Sequence, residues 1–138
     1  MEKLNYREMA YECLEDGENN EAIKCLLKAI EEGDALACID MALEIKYISV
    51  YYDYTDESLE AIHPSKFGYY LDLGISLGSL DCMFYKAREQ VIGDGLIELN
   101  SADAYEAFLK LKESGYEPYY FDDDWLIEDY LNILKHQS

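Results

Sequence analysis

The feature that most constrains the fold is a short segment, ending in glycine, that recurs three times along the chain. Its copies end at Gly33, Gly78 and Gly115. They lie about 40 residues apart, a common period for helical repeats. Each glycine closes a run of apolar residues at helical spacing, and a further helical pattern follows a short link. Glycine is favoured there because the residue that closes a helix often needs a positive φ. The recurrence therefore predicts a helix–turn–helix unit that is repeated three times.

The same helical periodicity covers almost all of the chain. Apolar residues recur at i, i+3 and i+4 through residues 6–14, 22–30, 37–45, 67–75, 104–111 and 126–134, as on the buried face of a helix. Two short helices cannot bury their apolar faces alone, whereas stacked units bury them together. We therefore expect an all-α fold, a short α-solenoid of about three helix–turn–helix repeats and roughly seven helices.

The 138 residues are expected to form a single helical-repeat domain, because a chain of this length supports one core. The predicted repeats cover roughly residues 4–48, 64–92 and 101–136, and an insertion loop at about 50–63 separates the first two. Residues 50–54 of the insertion have the composition of a short strand. Since no second strand is predicted to pair with them, we interpret them as a helix end that runs into a loop.

Two motifs extend the repeat pattern. Residues 28–37 match the pattern A-x-E-x-G-x-x-x-A, residues 93–96 match a G-x-G-apolar loop, and a new unit begins at residues 104–105. On these motifs the chain resembles the Sel-one-like repeats, which are relatives of the tetratricopeptide repeat, and a general tetratricopeptide-like array fits the same residues. The resemblance covers about residues 10–120. It implies a protein-binding scaffold whose motif residues serve packing and turns and carry no catalytic groups.

The later copies depart from this pattern where it places small residues. The second copy has Gly74 and Cys82 at the alanine positions and Ser76 in place of the glutamate. The third copy has Leu111 and Tyr119 at the alanine positions. Small residues at these positions let neighbouring helices approach closely, so the departures fall on predicted helix contacts.

The strongest compositional feature is negative charge. Thirty acidic residues against 11 basic ones give a formal net charge of −19. Such a protein is not expected to bind nucleic acid or anionic membranes, because phosphate binding relies on lysine and arginine. A basic protein is the partner of matching sign, although the charge can also serve solubility alone. The sequence contains no stretch typical of a signal peptide or a membrane span, so we expect a cytoplasmic protein.

Few residues are suited to catalysis. His63 and His136 lack the neighbouring cysteine or carboxylate that would indicate a zinc site. The glycine pair at 93 and 95 lacks the lysine and the preceding strand of a phosphate loop, so we interpret it as a turn. The cysteines lie among apolar residues without C-x-x-C pairing and are expected to be reduced and buried: Cys13, Cys25, Cys38 and Cys82. We expect no enzymatic activity, no cofactor and no bound metal.

Two acidic groups without nearby bases are the candidate binding residues. A calcium loop needs alternating ligands around a central glycine, a spacing that the second group lacks, so a metal site is not expected. The first group lies at residues 53–60, and the second joins carboxylates to aromatic rings near the C-terminus. Together they are Asp53, Asp56, Glu57, Glu60, Tyr116, Tyr119, Tyr120, Asp122, Asp123, Asp124, Trp125 and Glu128.

Two interpretations of the second group remain open. In one, Asp122 is the N-cap of the last helix, Asp123 and Asp124 interact with its positive dipole end, and the rings seal the last repeat. In the other, the tyrosines and Trp125 supply contact area while the carboxylates pair with the arginine and lysine side chains of a partner.

We expect a non-enzymatic interaction module that binds a basic protein, most specifically an immunity protein that neutralises a bacterial toxin such as a nuclease. Small size, a single cytoplasmic domain and strong negative charge motivate this hypothesis. A regulatory adaptor or scaffold of a signalling or secretion system is the alternative, which predicts several partners and a less charged groove. A small hydrolase or metal-dependent enzyme that uses the acidic clusters is a third class, which stabilisation by divalent cations would reveal. The oligomeric state stays open.

Overall fold

Eight α-helices follow one another in the computed structural model, which describes residues 5–48, 53–93, 95–117 and 127–136. They are α1 (Tyr6–Glu15), α2 (Asn19–Glu31), α3 (Ala35–Lys46), α4 (Asp56–Ala61), α5 (Phe67–Ser76), α6 (Leu80–Ile92), α7 (Ser101–Glu113) and α8 (Ile127–His136), and a 3-10 turn (Pro64–Lys66) precedes α5. No strand occurs in these ranges. The predicted all-α fold is confirmed.

The three repeated glycines close helices as predicted. Gly33, Gly78 and Gly115 have φ values of +88°, +93° and +75°. At Gly33 the glycine N–H donates to the Ile30 carbonyl at 2.9 Å, and the next N–H, of Asp34, donates to the Ala29 carbonyl at 3.0 Å. Equivalent pairs of hydrogen bonds follow Gly78 and Gly115. Such a pair satisfies the last carbonyls of a helix and turns the chain toward the next one.

Consecutive helices pack in pairs, as expected for a stack of helix–turn–helix units. Helix α1 packs on α2, α3 packs on α5, and α6 packs on α7. Further contacts join α2 to α3, α5 to α6, and α7 to α8. Among the described residues, no helix is long and apolar enough to cross a membrane.

The region predicted as an insertion loop contains a helix. Residues 49–52 lie outside the described residues, and Asp53 and Tyr54 are non-helical. Helix α4 then begins after Thr55, whose hydroxyl accepts a hydrogen bond from the Ser58 N–H at 3.2 Å. A threonine in this position satisfies one of the first N–H groups of a helix. This cap explains why a segment with weak apolar periodicity is helical.

Two apolar clusters form the interior of the stack. The first cluster joins α1 to α6 and is built mainly from alanine, cysteine, isoleucine and leucine. The second cluster joins α6, α7 and α8 around Phe84, Phe108 and Tyr130. Helix α6 contributes to both, with Cys82 and Tyr85 in the first cluster and Phe84 in the second.

In the second repeat, the two departures from the repeat pattern at Gly74 and Cys82 compensate each other. Gly74 and Cys82 stand where the first repeat has Ala29 and Ala37. A Cβ atom on Gly74 would lie 2.2 Å from the Cys82 Sγ and 3.2 Å from the Cys38 Cβ. The space that an alanine methyl would occupy at position 74 is therefore filled by the cysteine side chain.

All four cysteines are free thiols, and Cys38 and Cys82 are fully buried. Burial raises the pKa of Cys38 to about 12 and that of Cys82 to about 11. The other two, Cys13 and Cys25, are half-buried between α1 and α2.

Candidate protein-binding surface

The first predicted acidic group forms an exposed edge on α4 and the turn before it. Asp53, Asp56, Glu57 and Glu60 are all exposed, and we refer to these four residues as the α4 acidic edge. Within the described ranges none of them forms an ion pair. Asp56 and Glu57 occupy the first turn of α4, where a carboxylate interacts favourably with the positive end of the helix dipole.

Hydrogen bonds from α2 fix the position of this edge. The Asn20 side-chain amide donates to the Asp53 carbonyl at 2.9 Å, and its oxygen accepts from the Thr55 N–H at 2.9 Å. One amide therefore holds the backbone on both sides of Tyr54. The carboxylates are presented by a braced segment, which lowers the entropy cost of ordering them in a complex.

Most of the second predicted group falls outside the described residues: Tyr119, Tyr120, Asp122, Asp123, Asp124 and Trp125. Tyr116 is half-buried, packs on Phe84 with 5.9 Å between ring centroids, and donates a hydrogen bond to Asp81. Glu128 is exposed and forms an ion pair with Lys112. Tyr116 therefore contributes to the protein's own packing, and a lysine that is distant in sequence accompanies Glu128.

Two of the basic residues pair with buried carboxylates. Arg7 pairs with the buried Asp40 at 2.6 Å, and Lys46 pairs with the buried Glu89. Two of the 11 bases thus compensate interior carboxylates, since a buried charge without a partner is costly. Glu44 is half-buried, and its pKa is raised. Burial is the larger cause, and the negative charge of Asp40 is the second.

An apolar groove between α2 and α5 was not predicted from the sequence. It has a volume of about 570 Å³, and Leu27, Ile30, Tyr69, Tyr70 and Leu73 line it together with the charged residues Glu31 and Lys66. Tyr69 is 59% exposed. The groove combines exposed apolar surface with almost no net charge, in contrast to the rest of the chain.

The alignment of the three repeats contains the signal that reveals this groove. Tyr69 and Leu73 lie at i and i+4 on α5, and Leu77, the C-cap residue that directly follows α5, lies at i+8. The first repeat has Lys24, Lys28 and Glu32 at the same positions, and the third has Glu106, Lys110 and Ser114. Only the middle repeat is apolar at these positions, where Tyr69 and Leu77 are exposed and Leu73 is half-buried. We refer to its three residues as the α5 stripe.

The described part of the chain contains no group of three His, Cys, Asp or Glu side chains arranged to hold a metal ion. The His63 Nδ1 accepts from the Ser65 N–H at 3.1 Å and lies 2.8 Å from the Ser65 hydroxyl. This histidine caps the 3-10 turn, which is a structural task.

Comparison of the chain with family models, with curated proteins and with solved structures finds no match. The resemblance to helical repeats therefore rests on the residue pattern, the glycine turns and the sequential packing of the helices.

Proposed function

We propose that this chain is a non-enzymatic interaction module of the Sel-one-like or tetratricopeptide-like kind, which binds a basic protein through its acidic surface. The observation that carries the proposal is the α4 acidic edge, whose four exposed carboxylates lack ion pairs within the described ranges. By contrast, the buried Asp40 and Glu89 each have a basic partner. Exposed like charges on a braced segment are suited to a partner that brings lysine and arginine.

The most specific form of the proposal is an immunity protein that neutralises a bacterial toxin such as a nuclease. Nucleases that act on a polyanion carry basic surfaces, and an inhibitor with a net charge of −19 complements such a surface. Long-range attraction of this kind accelerates association. Rapid capture is the property that protects a cell from a toxin.

The α2–α5 groove favours a second candidate, the regulatory adaptor or scaffold. Its lining includes one acid and one base, Glu31 and Lys66, which leave it almost neutral. An adaptor that recognises several partners through apolar contacts would use such a groove. In that case the acidity would serve mainly for solubility.

A pull-down from the native host at low and at moderate salt tests the proposal. The immobilised protein is compared with a variant in which the α4 acidic edge is neutralised (Asp53→Asn, Asp56→Asn, Glu57→Gln, Glu60→Gln). The matched control removes the same charge from exposed residues elsewhere (Glu8→Gln, Glu12→Gln, Glu98→Gln, Glu106→Gln). We expect a basic protein to be recovered by the wild type and the control, and to be depleted with the edge variant.

Inhibition of DNA or RNA cleavage by the recovered protein would support the immunity function. Recovery of several partners without a basic surface would favour the adaptor instead. Recovery of no basic protein at either salt concentration contradicts the proposal.

A further inference from the structure

The α5 stripe is apolar although two of its three side chains, Tyr69 and Leu77, are exposed; the third, Leu73, is half-buried and packs on the first apolar cluster. Tyr69 is 59% exposed and Leu77 is 43% exposed. The first and third repeats have mainly charged residues at these positions and form the same kind of helix. Charged residues are thus compatible with this helical position, and burial in the core does not account for the exposed Tyr69 and Leu77.

Two residues of the stripe, Tyr69 and Leu73, form one side of a groove whose other side is α2. Leu27 and Ile30 of α2 face Tyr69, Tyr70 and Leu73 of α5 across a space of about 570 Å³. A space of this size falls within the range of pockets that enclose small ligands or large side chains. An exposed apolar concavity on an otherwise charged surface marks an interaction site.

Helix α4, which carries most of the α4 acidic edge, contacts both helices that form the groove. The Tyr70 ring lines the groove, and its hydroxyl donates to the Ala61 carbonyl at 2.8 Å. Ala61 is the last residue of α4 and directly follows Glu60. One hydrogen bond therefore connects the wall of the apolar groove to the helix that carries Asp56, Glu57 and Glu60.

We propose that the α2–α5 groove and the α4 acidic edge form one docking site for a basic protein segment that presents an apolar anchor beside lysine or arginine residues. The groove receives the anchor, which packs on Tyr69 and Leu73, and the carboxylates of α4 receive the basic side chains. This inference rests on the proposed binding of a basic partner and specifies where and how that partner is held.

Charge decides between the possible occupants of the groove. A second copy of this chain would bring another protein with a net charge of −19 against the acidic edge, and like charges at an interface are unfavourable. An acidic segment would meet the same repulsion. A basic segment with an apolar anchor satisfies both parts of the site.

Synthetic peptides of 12 residues, capped at both ends, test the proposal by fluorescence anisotropy. The first peptide alternates leucine and lysine on an amphipathic pattern, the second replaces the leucines by serine, and the third replaces the lysines by glutamate. They are titrated with the wild-type protein and with the variant Tyr69→Lys/Leu73→Lys, which gives α5 the lysines of the first repeat. The variant Leu99→Lys is the control, since Leu99 is exposed and lies outside the groove.

We expect only the leucine–lysine peptide to bind wild-type protein tightly. The groove variant should weaken this binding about tenfold or more, because burial of a large apolar side chain contributes about 1.5–3 kcal/mol. Neutralisation of the α4 acidic edge should weaken binding about tenfold at low salt and by less than about twofold at high salt, as for exposed ion pairs. The Leu99→Lys control should bind like the wild type. Circular dichroism confirms that each variant is folded.

The remaining outcomes overturn the inference, and they distinguish it from the proposed function. If the leucine–lysine peptide binds the wild type and the groove variant equally, the groove is not the site, while the binding of basic partners stands. If the leucine–glutamate peptide binds as tightly as the leucine–lysine peptide, the role of charge fails, and the proposed function is weakened with it. If light scattering finds a wild-type dimer that the groove variant abolishes, the groove is a self-interface. Absence of binding by all three peptides also contradicts the proposed site.

Discussion

The two apolar clusters of this protein fill the space between neighbouring helices with different kinds of side chain. In the first cluster, alanines and cysteines allow α1, α2, α3, α5 and α6 to approach closely. In the second, large rings fill the space between α6, α7 and α8, and Phe108 stacks on Tyr130 with 4.8 Å between centroids. The difference indicates that the glycine turn is the repeated feature, whereas the residues that fill each interface vary along the stack.

The largest expected effect comes from the aromatic cluster. Replacement Phe108→Ala removes a ring that contacts both Phe84 and Tyr130, and such a change costs about 3–5 kcal/mol in a protein interior. We expect α7 and α8 to lose hydrogen-exchange protection while α2 and α3 keep theirs, because the latter belong to the other cluster. Equal loss of protection in both regions would contradict the separation of the two clusters.

The close contact at Gly74 is the next test, because it probes the small-residue cluster. Replacement Gly74→Ala places a methyl group 2.2 Å from the Cys82 Sγ, and overpacking of this kind costs about 1–3 kcal/mol. The double variant Gly74→Ala/Cys82→Ala restores the residues of the first repeat and should recover most of the loss. Denaturant unfolding of both single variants and the double variant measures the coupling between the two positions. Additive effects would show that the paired change does not act as a unit.

Alkaline pH should also distinguish the two clusters, through the buried thiols of the first. Burial raises the pKa of Cys38 from 9.0 to about 12 and that of Cys82 from 9.0 to about 11. Above pH 9 the unfolded chain loses these protons while the folded protein keeps them, so stability falls as the pH rises toward the folded-state pKa values.

The expected loss is about 1–2 kcal/mol between pH 8 and pH 9.5, measured by urea unfolding at each pH. The double variant Cys38→Ala/Cys82→Ala should show a shallower dependence on pH. A wild-type stability that stays constant across this range would contradict the assignment of the thiols to a buried cluster.

The smallest expected effect is on the solvent-facing side of the first cluster. Replacement Tyr69→Lys alters a residue that is mostly exposed, and surface substitutions of this kind usually change stability by less than about 0.5 kcal/mol. Thermal unfolding of this variant beside Phe108→Ala compares an apolar residue of the proposed docking site with one of the aromatic cluster. Destabilisation by more than about 2 kcal/mol would assign Tyr69 to the core.

The helices were predictable because their signals are local. Apolar residues at i, i+3 and i+4 and the glycines at 33, 78 and 115 depend only on neighbours in sequence, and the structure has helices that end at these turns. Helix α4 was missed because it is short and is stabilised by its Thr55 cap and by Asn20 of another helix. Its position depends on a tertiary contact that periodicity does not encode.

The candidate site was predicted only in part, for a related reason. Charge identified Asp53, Asp56, Glu57 and Glu60, which are exposed. The α2–α5 groove depends on two helices that lie side by side. The apolar periodicity places Leu27 and Ile30 on the buried face of a helix, so the sequence pattern alone does not predict a groove there. The environment of Tyr116 beside Phe84 likewise depends on packing between separate helices.

The rate of association between this protein and its recovered basic partner tests the central proposal most directly. Stopped-flow measurements over a series of salt concentrations are made with the wild type, the α4 edge variant and the matched charge control. We expect the rate constant of the wild type to fall steeply as salt rises, because electrostatic steering is screened. The edge variant should associate more slowly at low salt than the control of equal net charge. A rate that is independent of salt, or equal for the two variants, would contradict the assignment of this acidic surface to partner binding.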